Sequence, residues 1–496
     1  MTKNIMVQGT MSSAGKSLLA AGLCRVFYQD GLRVAPFKSQ NMALNSFITA
    51  EGLEMGRAQV VQAEAAGMEP SVLMNPILLK PCSDRGSQVI VRGEPVGTMD
   101  AEAYYEYRGT LKETVRQSYA ALAEHSDVIV IEGAGSPAEI NLNEDDIVNM
   151  GMAELVDAPV ILVADIDRGG VFAQIYGTVM LLPPEQRARI KGIVINKFRG
   201  DVEILRPGLA MIEEKTGVPV IGVLPYLHID IDDEDSLSDR KEGGIKPVDI
   251  AVIQLPRISN ATDFAPLARQ ECVRLRYVRR PADLGNPDLI ILPGTKSTMP
   301  DLLWMRQNGL EVLVKKAAER GTPILGVCGG YQMLGRTLSD PDCTELGGTL
   351  QGMGLLPIDT VFYSEKTRLQ STGTVMPQNG VFGSLSGTTL TGYQIHMGQS
   401  TPAEAAVPFV RFADGTEDGA ACGNVCGTYL HGLFDGALSG KMTELLLRQK
   451  GITYEEGKSA IPDAAAFHQT QYDLLADALR EHLDLDAVYR ILNHRL

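Results

Sequence analysis

Short apolar runs and amphipathic stretches alternate along the chain from its first residues. Ile5 to Val7 reads as a strand, Ser17 to Tyr28 as a helix and Val34 to Phe37 as a second strand. Further apolar runs at Val128 to Ile131, Val160 to Ala164, Ile193 to Ile195 and Val220 to Val223 are each bounded by Gly, Pro or Asp. Helical stretches at Phe172 to Leu182 and Val202 to Lys215 fall between them. Strands alternating with helices make βαβ units, so the pattern predicts an α/β fold with a mostly parallel sheet.

The pattern breaks at Ile229 to Lys246, which is acidic and then Gly-rich, with little to bury. Such a stretch reads as a linker. A fresh α/β series starts at Ile250 to Gln254 and continues through Leu275 to Val278, Leu289 to Leu292 and Ile324 to Val327. From about Gln378 to Phe412 the signals shift to short strands and turns. In the tail Tyr472, Leu474, Leu475, Leu479 and Leu483 recur at helical spacing and predict a packing helix. The expected division is a first domain over 1–235, a linker over 236–247, a second domain over 248–445 and a helical extension over 446–496.

A chain of 496 residues exceeds one ordinary core, which agrees with two domains. A formal net charge of -16 gives no basic footprint, so no nucleic-acid partner is expected. A local basic pocket for small anions remains compatible with that charge. No apolar run reaches the ~18 residues of a membrane span, and MTKNIMVQGT has no signal-peptide pattern. Seven scattered Cys suit a reducing compartment. A cytoplasmic protein is therefore expected. Cys422 and Cys426, the closest pair, have no nearby His or Cys to complete a metal site.

Two segments carry chemistry. The first is Gly9-Thr10-Met-Ser-Ser-Ala-Gly15-Lys16-Ser17, between a strand and a helix. Five residues separate Gly9 from the Gly15-Lys16 pair, one more than in the usual phosphate loop. The mechanics survive that insertion. Small residues let backbone N–H groups face phosphates, Lys16 can reach the outer phosphates, and the Ser17 hydroxyl suits Mg²⁺. The helix that follows directs its positive end at the same place. Glu132, at the end of an apolar strand, is placed to hold Mg²⁺ directly or through water.

The second segment is Ile324-Leu-Gly-Val-Cys328-Gly329-Gly-Tyr-Gln332, a strand, a sharp turn and a helix. Glycines beside Cys328 permit the strained turn that lifts a nucleophile out of a sheet edge. A Cys at a helix N-terminus gains thiolate character, which attack on an amide requires. His431, in Gly427-Thr-Tyr-Leu-His431-Gly432, is the preferred base, with His396 as competitor. The backbone N–H groups of Gly294, in a strand-end loop, and of Gly329 are candidates for an oxyanion hole.

The loop GTMSSAGKS and the downstream IEGAGS resemble the dethiobiotin synthetase group of ATP-dependent ligases. Lys38 to Ser46 (KSQNMALNS), Met74 to Pro81, Ala164 to Thr178 and Ile195 to Asp201 narrow the likeness. Together they resemble the cobyric acid synthase family, glutamine-dependent enzymes of cobalamin biosynthesis. The Cys328 and His431 segments resemble class I glutamine amidotransferases, and the likeness spans residues 3 to 445 or so. It implies an N-terminal P-loop, dethiobiotin-synthetase-like sheet domain and a C-terminal class I amidotransferase α/β domain. It implies ATP, Mg²⁺ and glutamine as reactants, and a corrinoid substrate amidated at its b, d, e and g carboxylates. By the same likeness Asn196 contacts adenine, Lys38 lies near the phosphates and Gln332 contacts glutamine. Gln40, Asn41, Asn45, Lys80, Arg85 and Arg168 are substrate candidates by motif position only. Many class I domains carry Glu two residues after the His; here that residue is Leu433, which leaves the third partner unassigned. Two rivals are the a,c-diamide synthase of the same pathway and a non-catalytic P-loop switch with an inactive amidotransferase half.

Overall fold

The computed structural model describes residues 2–82, 86–142, 145–231, 246–403, 406–453 and 464–495. Most of the expected linker and Arg85 lie outside the described residues.

Lys3–Gly9 is the centre of a six-stranded parallel sheet. On one side stand Val160–Asp165, Ile190–Phe198 and Val220–Pro225; on the other, Val128–Glu132 and Val34–Phe37. The central strands are buried on both faces, which is why they read as unbroken apolar runs. Strand ends at Gly9, Glu132 and Asp165 therefore meet along one edge of the sheet, where parallel α/β folds place ligands.

The second half has a six-stranded sheet in the order Val273–Val278, Val248–Ile253, Leu289–Leu292, Ile324–Val327, Val425–Thr428 and Ala420–Cys422. All its pairings are parallel except the last, a hairpin. The chain leaves Val425–Thr428 and at Leu430–His431 joins a second, largely antiparallel sheet. His431 thus sits where the chain changes sheets.

Three regions depart from the sequence expectation. Where short strands and turns are expected over about 378–412, the chain forms the long strand Thr389–Pro402, which pairs with Ile358–Val375 in one ribbon. Its charged and hydroxyl-rich sequence hides the strand signal because much of one face is open to solvent. Residues 40–100 also hold unexpected strands: the four-stranded sheet of Gln40–Met42, Ile77–Pro81, Gly86–Val91 and Glu94–Asp100, and the hairpin Ser46–Ile48 with Glu54–Gly56. Lastly, the helix Leu438–Gln449 runs across residue 445, and its Leu445, Leu446 and Leu447 are buried in the second core.

The tail helix Ala464–His482 returns to the first half and packs on the helix Lys16–Gln29. Tyr472, Leu475, Leu479 and Leu483 are buried there, whereas Leu474 is half exposed and faces away. The first core is therefore completed by the chain's last helices.

The halves also meet directly. Tyr393 Oη donates to Ser46 O at 2.9 Å, Asn260 Oδ1 accepts from Ser46 N at 2.9 Å, and Gln370 Nε2 donates to Ile48 O at 3.0 Å. The Ser46–Ile48/Glu54–Gly56 hairpin of the first half is thus pressed against the second.

Candidate active sites

Gly15 closes the phosphate loop with φ 105°, and a Cβ there would stand 2.0 Å from Asn196 Nδ2. Only glycine fits. Lys16 begins the helix and is buried; its Nζ donates to Met11 O at 3.1 Å and to Gly135 O at 3.0 Å. The ammonium thus stands between the loop and the segment after Glu132. The helix has no side-chain cap, so its N-terminal dipole addresses the loop. Glu132 is a buried hub: Oε1 accepts from Ser17 Oγ at 2.7 Å and Lys38 Nζ at 2.9 Å, and Oε2 from Gln62 Nε2 at 2.5 Å and Gln59 Nε2 at 3.4 Å. Ser17 and Glu132 give two hard oxygen donors side by side, which suits Mg²⁺ carried by one carboxylate, waters and phosphate.

Asn196 donates through Nδ2 to Ala14 O at 2.9 Å, so it braces the loop from behind. Lys197, which spacing does not single out, donates to Ser13 O at 2.7 Å and Asp165 Oδ2 at 2.9 Å. Thr10 donates to Gln174 Oε1 at 3.3 Å. Gln59 and Gln62 also escape a motif reading; their only signal is the i, i+3 spacing that puts two amides on one helix face.

The corrinoid candidates scatter. Tyr104 Oη donates to Gln40 Oε1 at 2.5 Å, and Asn41 donates to Gln59 Oε1 at 3.0 Å. Asn45 Oδ1 accepts from Ala261 N at 3.3 Å across the interface. Lys80 is buried and donates to Ser46 Oγ at 2.9 Å and Glu54 Oε1 at 2.8 Å. Arg168 is exposed on the loop after Val160–Asp165.

In the second half Cys328 caps the helix Gly329–Met333 with φ 51° and ψ -109°, a strained backbone for a residue with a side chain. Its Sγ lies 3.5 Å from Ile395 O, and Cys328 lines one cavity with His431, whose charge it favours. His431 Nδ1 in turn is 2.6 Å from Asp263 Oδ2, and Asp263 Oδ1 accepts from Gly432 N at 3.0 Å. Both side chains are buried. Asp263 therefore fills the position that Leu433 leaves open. It comes from a short helix, Ala261–Phe264, far from His431 in the chain, so no local spacing could reveal it.

Burial alone would push His431 down. The Asp263 carboxylate and the Cys328 sulfur outweigh burial and hold it up at about 10. His396 is the reverse case: burial pushes it down to about 4. Its Nδ1 lies 2.7 Å from Gly398 O, its ring stacks on Tyr429, and among the described residues its Nε2 has no partner. The two imidazoles that compete in sequence are thus separated by environment, and His431 is the one on the thiol.

Gly294 passes directly beside this pair: a Cβ there would stand 2.8 Å from His431 Cε1. Gln332 is buried, accepts from Thr298 Oγ1 at 2.9 Å and donates to Tyr429 Oη at 3.2 Å. Cys328, Gln332, His431 and His396 line a cavity of about 60 Å³ that Lys80 and Lys366 also line. Cys422 and Cys426 sit in an ordinary hairpin, and the described residues contain no cluster of three or more His, Cys, Asp or Glu that could hold a metal.

Asp263→Asn keeps the shape but removes the charge that holds imidazolium against the thiol. Loss of the orienting acid in such a triad costs about 10⁴-fold in turnover. Glutamine hydrolysis is expected to fall by two to four orders of magnitude, about that scale. Its alkaline limit should also move down from near pH 10 toward neutrality, because His431 loses the group that raises it. A rate–pH profile read on glutamate release checks both.

Fold and sites together define a nucleotide-binding P-loop domain joined to a glutamine amidotransferase domain. Residues 5–237 match the CobQ/CobB/MinD/ParA nucleotide binding domain, and residues 249–438 match the CobB/CobQ-like glutamine amidotransferase domain. A cobyric acid synthase of Ruminiclostridium cellulolyticum is 56% identical over 99% of this chain and 97% of its own length. One from Lachnoclostridium phytofermentans is 53% identical over 99% of both chains. The chain belongs to the cobyric acid synthase family. Among its described residues no helix is long and apolar enough to cross a membrane.

Proposed function

We propose that this enzyme amidates the b, d, e and g carboxylates of adenosylcobyrinic acid a,c-diamide, with one ATP and one glutamine for each amide, in the cytoplasm. The observation that carries the reading is the Cys328–His431–Asp263 line, opening into a cavity that a residue of the nucleotide-binding half also lines.

In the second half Cys328 Sγ attacks the carboxamide carbon of glutamine. The N–H groups of Gly294 and Gly329 stabilise the oxyanion, and His431 hands its proton to the departing nitrogen. Water then frees glutamate from the thioester. Asp263 holds His431 in line and stabilises its charge.

In the first half a substrate carboxylate must be activated, because its carbonyl carbon is electron-rich and its oxygen is a poor leaving group. Transfer of the γ-phosphoryl group of ATP makes an acyl phosphate, and ammonia displaces phosphate. Lys16 and the loop N–H groups hold the transferring oxygens, while Lys38 holds Glu132 in place. Mg²⁺ held by Ser17 and Glu132 would neutralise developing charge there.

Mass spectrometry of products decides the substrate. Incubation of the a,c-diamide with ATP and glutamine should yield a product with four more amides. Two added amides on the a,c-unmodified acid would instead assign the a,c-diamide synthase reaction.

A further inference from the structure

The Cys328 cavity is walled on one side by a buried ionic cluster that belongs to both halves. Glu54, at the start of Glu54–Gly56, accepts from Lys80 Nζ through Oε1 at 2.8 Å and from Lys366 Nζ through Oε2 at 2.5 Å. Glu54 and Lys80 are in the nucleotide-binding half; Lys366 is in the amidotransferase half. All three side chains are almost fully buried. Both lysines line the cavity that holds Cys328, His431 and Gln332.

The way Lys366 reaches this position is itself informative. Along the ribbon, Phe362 pairs with Gly398 and Thr367 with His396, so residues 363–366 stand opposite Met397 alone. Bulges of this kind re-aim side chains beside active sites. This one brings Lys366 onto Glu54 of the other half. Packing alone does not call for it, since hydrocarbon of the same volume would seal the interface without burying three charges.

We propose that the Lys80–Glu54–Lys366 cluster is the gate through which ammonia leaves the Cys328 cavity for the nucleotide-binding half. The inference rests on the amidotransferase reading of Cys328. Ammonia exposed to water at neutral pH becomes ammonium, which has no lone pair for attack, so the nitrogen needs a shielded exit. The cavity borders the other half at this cluster. Any positive charge on these lysines also disfavours protonation of passing ammonia. Lysines on flexible stems can swing aside without moving the backbone. Burial works against the charge on Glu54, but Lys366 and Lys80 overcome it and hold its carboxyl below the usual range. Lys366 is the loosest member: burial pushes it down to about 7, against the pull of Glu54.

A trigger is at hand. The hairpin that carries Glu54 also carries Ser46, a partner of Lys80, and Ser46 ends the segment that begins at Lys38 on Glu132. One short stretch of chain therefore runs from the phosphate-loop cluster to the gate, so loading of the first site can loosen the second.

The experiment measures glutamate released per amide formed by the full-length enzyme, together with glutamine hydrolysis in the absence of ATP and corrinoid. In Lys366→Met, unstimulated hydrolysis should rise about tenfold, inside the usual range of site-to-site coupling. Glutamate per amide should exceed the wild-type ratio, while amidation from ammonium chloride stays at the wild-type rate. Lys366→Gln, which keeps a hydrogen bond to Glu54, serves where the methionine variant folds poorly, and a wild-type circular dichroism spectrum reports folding. An unchanged ratio in a folded variant overturns the gate, as does a loss of ammonia-supported synthesis in a soluble one. A wild-type enzyme that releases no glutamate would refute the amidotransferase reading instead.

Discussion

Cys328→Ala is expected to abolish amidation from glutamine and to leave amidation from free ammonia intact. The sulfur is the group placed to attack an amide: it stands at a strained elbow, against His431, in a cavity that also holds Gln332. Removing the nucleophile of such a unit costs about 10⁶-fold in turnover, so glutamate release should fall below detection. Alanine removes one sulfur from a tight site and keeps the same Cβ at φ 51°, so the turn carries no strain beyond what it already bears and folding should persist. Ammonia supplied from outside bypasses the thiol and meets the acyl phosphate in the other half. The measurement is paired: initial amidation rates with saturating glutamine and with ammonium chloride at alkaline pH, where more of it is ammonia. Retention of glutamine-dependent turnover would remove the thiol from the reaction. Loss of both activities would mean that the halves cannot be read separately.

The parts visible in sequence are those whose physics is local. Val128–Glu132 and Val160–Asp165 announce themselves because a strand buried on both faces has no polar alternation to hide it. The loop around Lys16 and the elbow at Cys328 are likewise legible, because phosphate cradling and a strained turn both demand small residues at fixed offsets. Partnerships across the chain are a different matter. Asp263 and His431 come together only because His431 sits where the chain crosses between sheets. Glu54 and Lys366 look like ordinary surface charges, and Lys80 stands out only by motif position, until a bulge and a hairpin bury the three against one another. The Ser46–Ile48/Glu54–Gly56 hairpin has strands too short to carry a periodic signal. What it contributes is position, since it touches Tyr393 and Asn260 as well as the gate.

Lys16→Ala is expected to fail with glutamine and ammonia alike, the complementary result. The Lys16 ammonium stands where the phosphate loop closes, held by the carbonyls of Met11 and Gly135. Those contacts fix the ammonium beside the loop. A single well-placed donor to a developing anion contributes about 10²- to 10³-fold. Cationic groups on a transferring phosphoryl reach about 10³ to 10⁵. Amidation should therefore drop at least about a thousandfold whichever nitrogen source is offered. The Cys328 cavity has no contact with this loop, so unstimulated glutamine hydrolysis should survive at its basal rate and report that the chain is folded. Any stimulation of that hydrolysis by ATP and corrinoid should vanish, because the first site can no longer signal along Lys38 to Ser46. Ammonia-supported amidation that persists in this variant would show that the carboxylate is activated elsewhere and would detach the phosphate loop from the reaction.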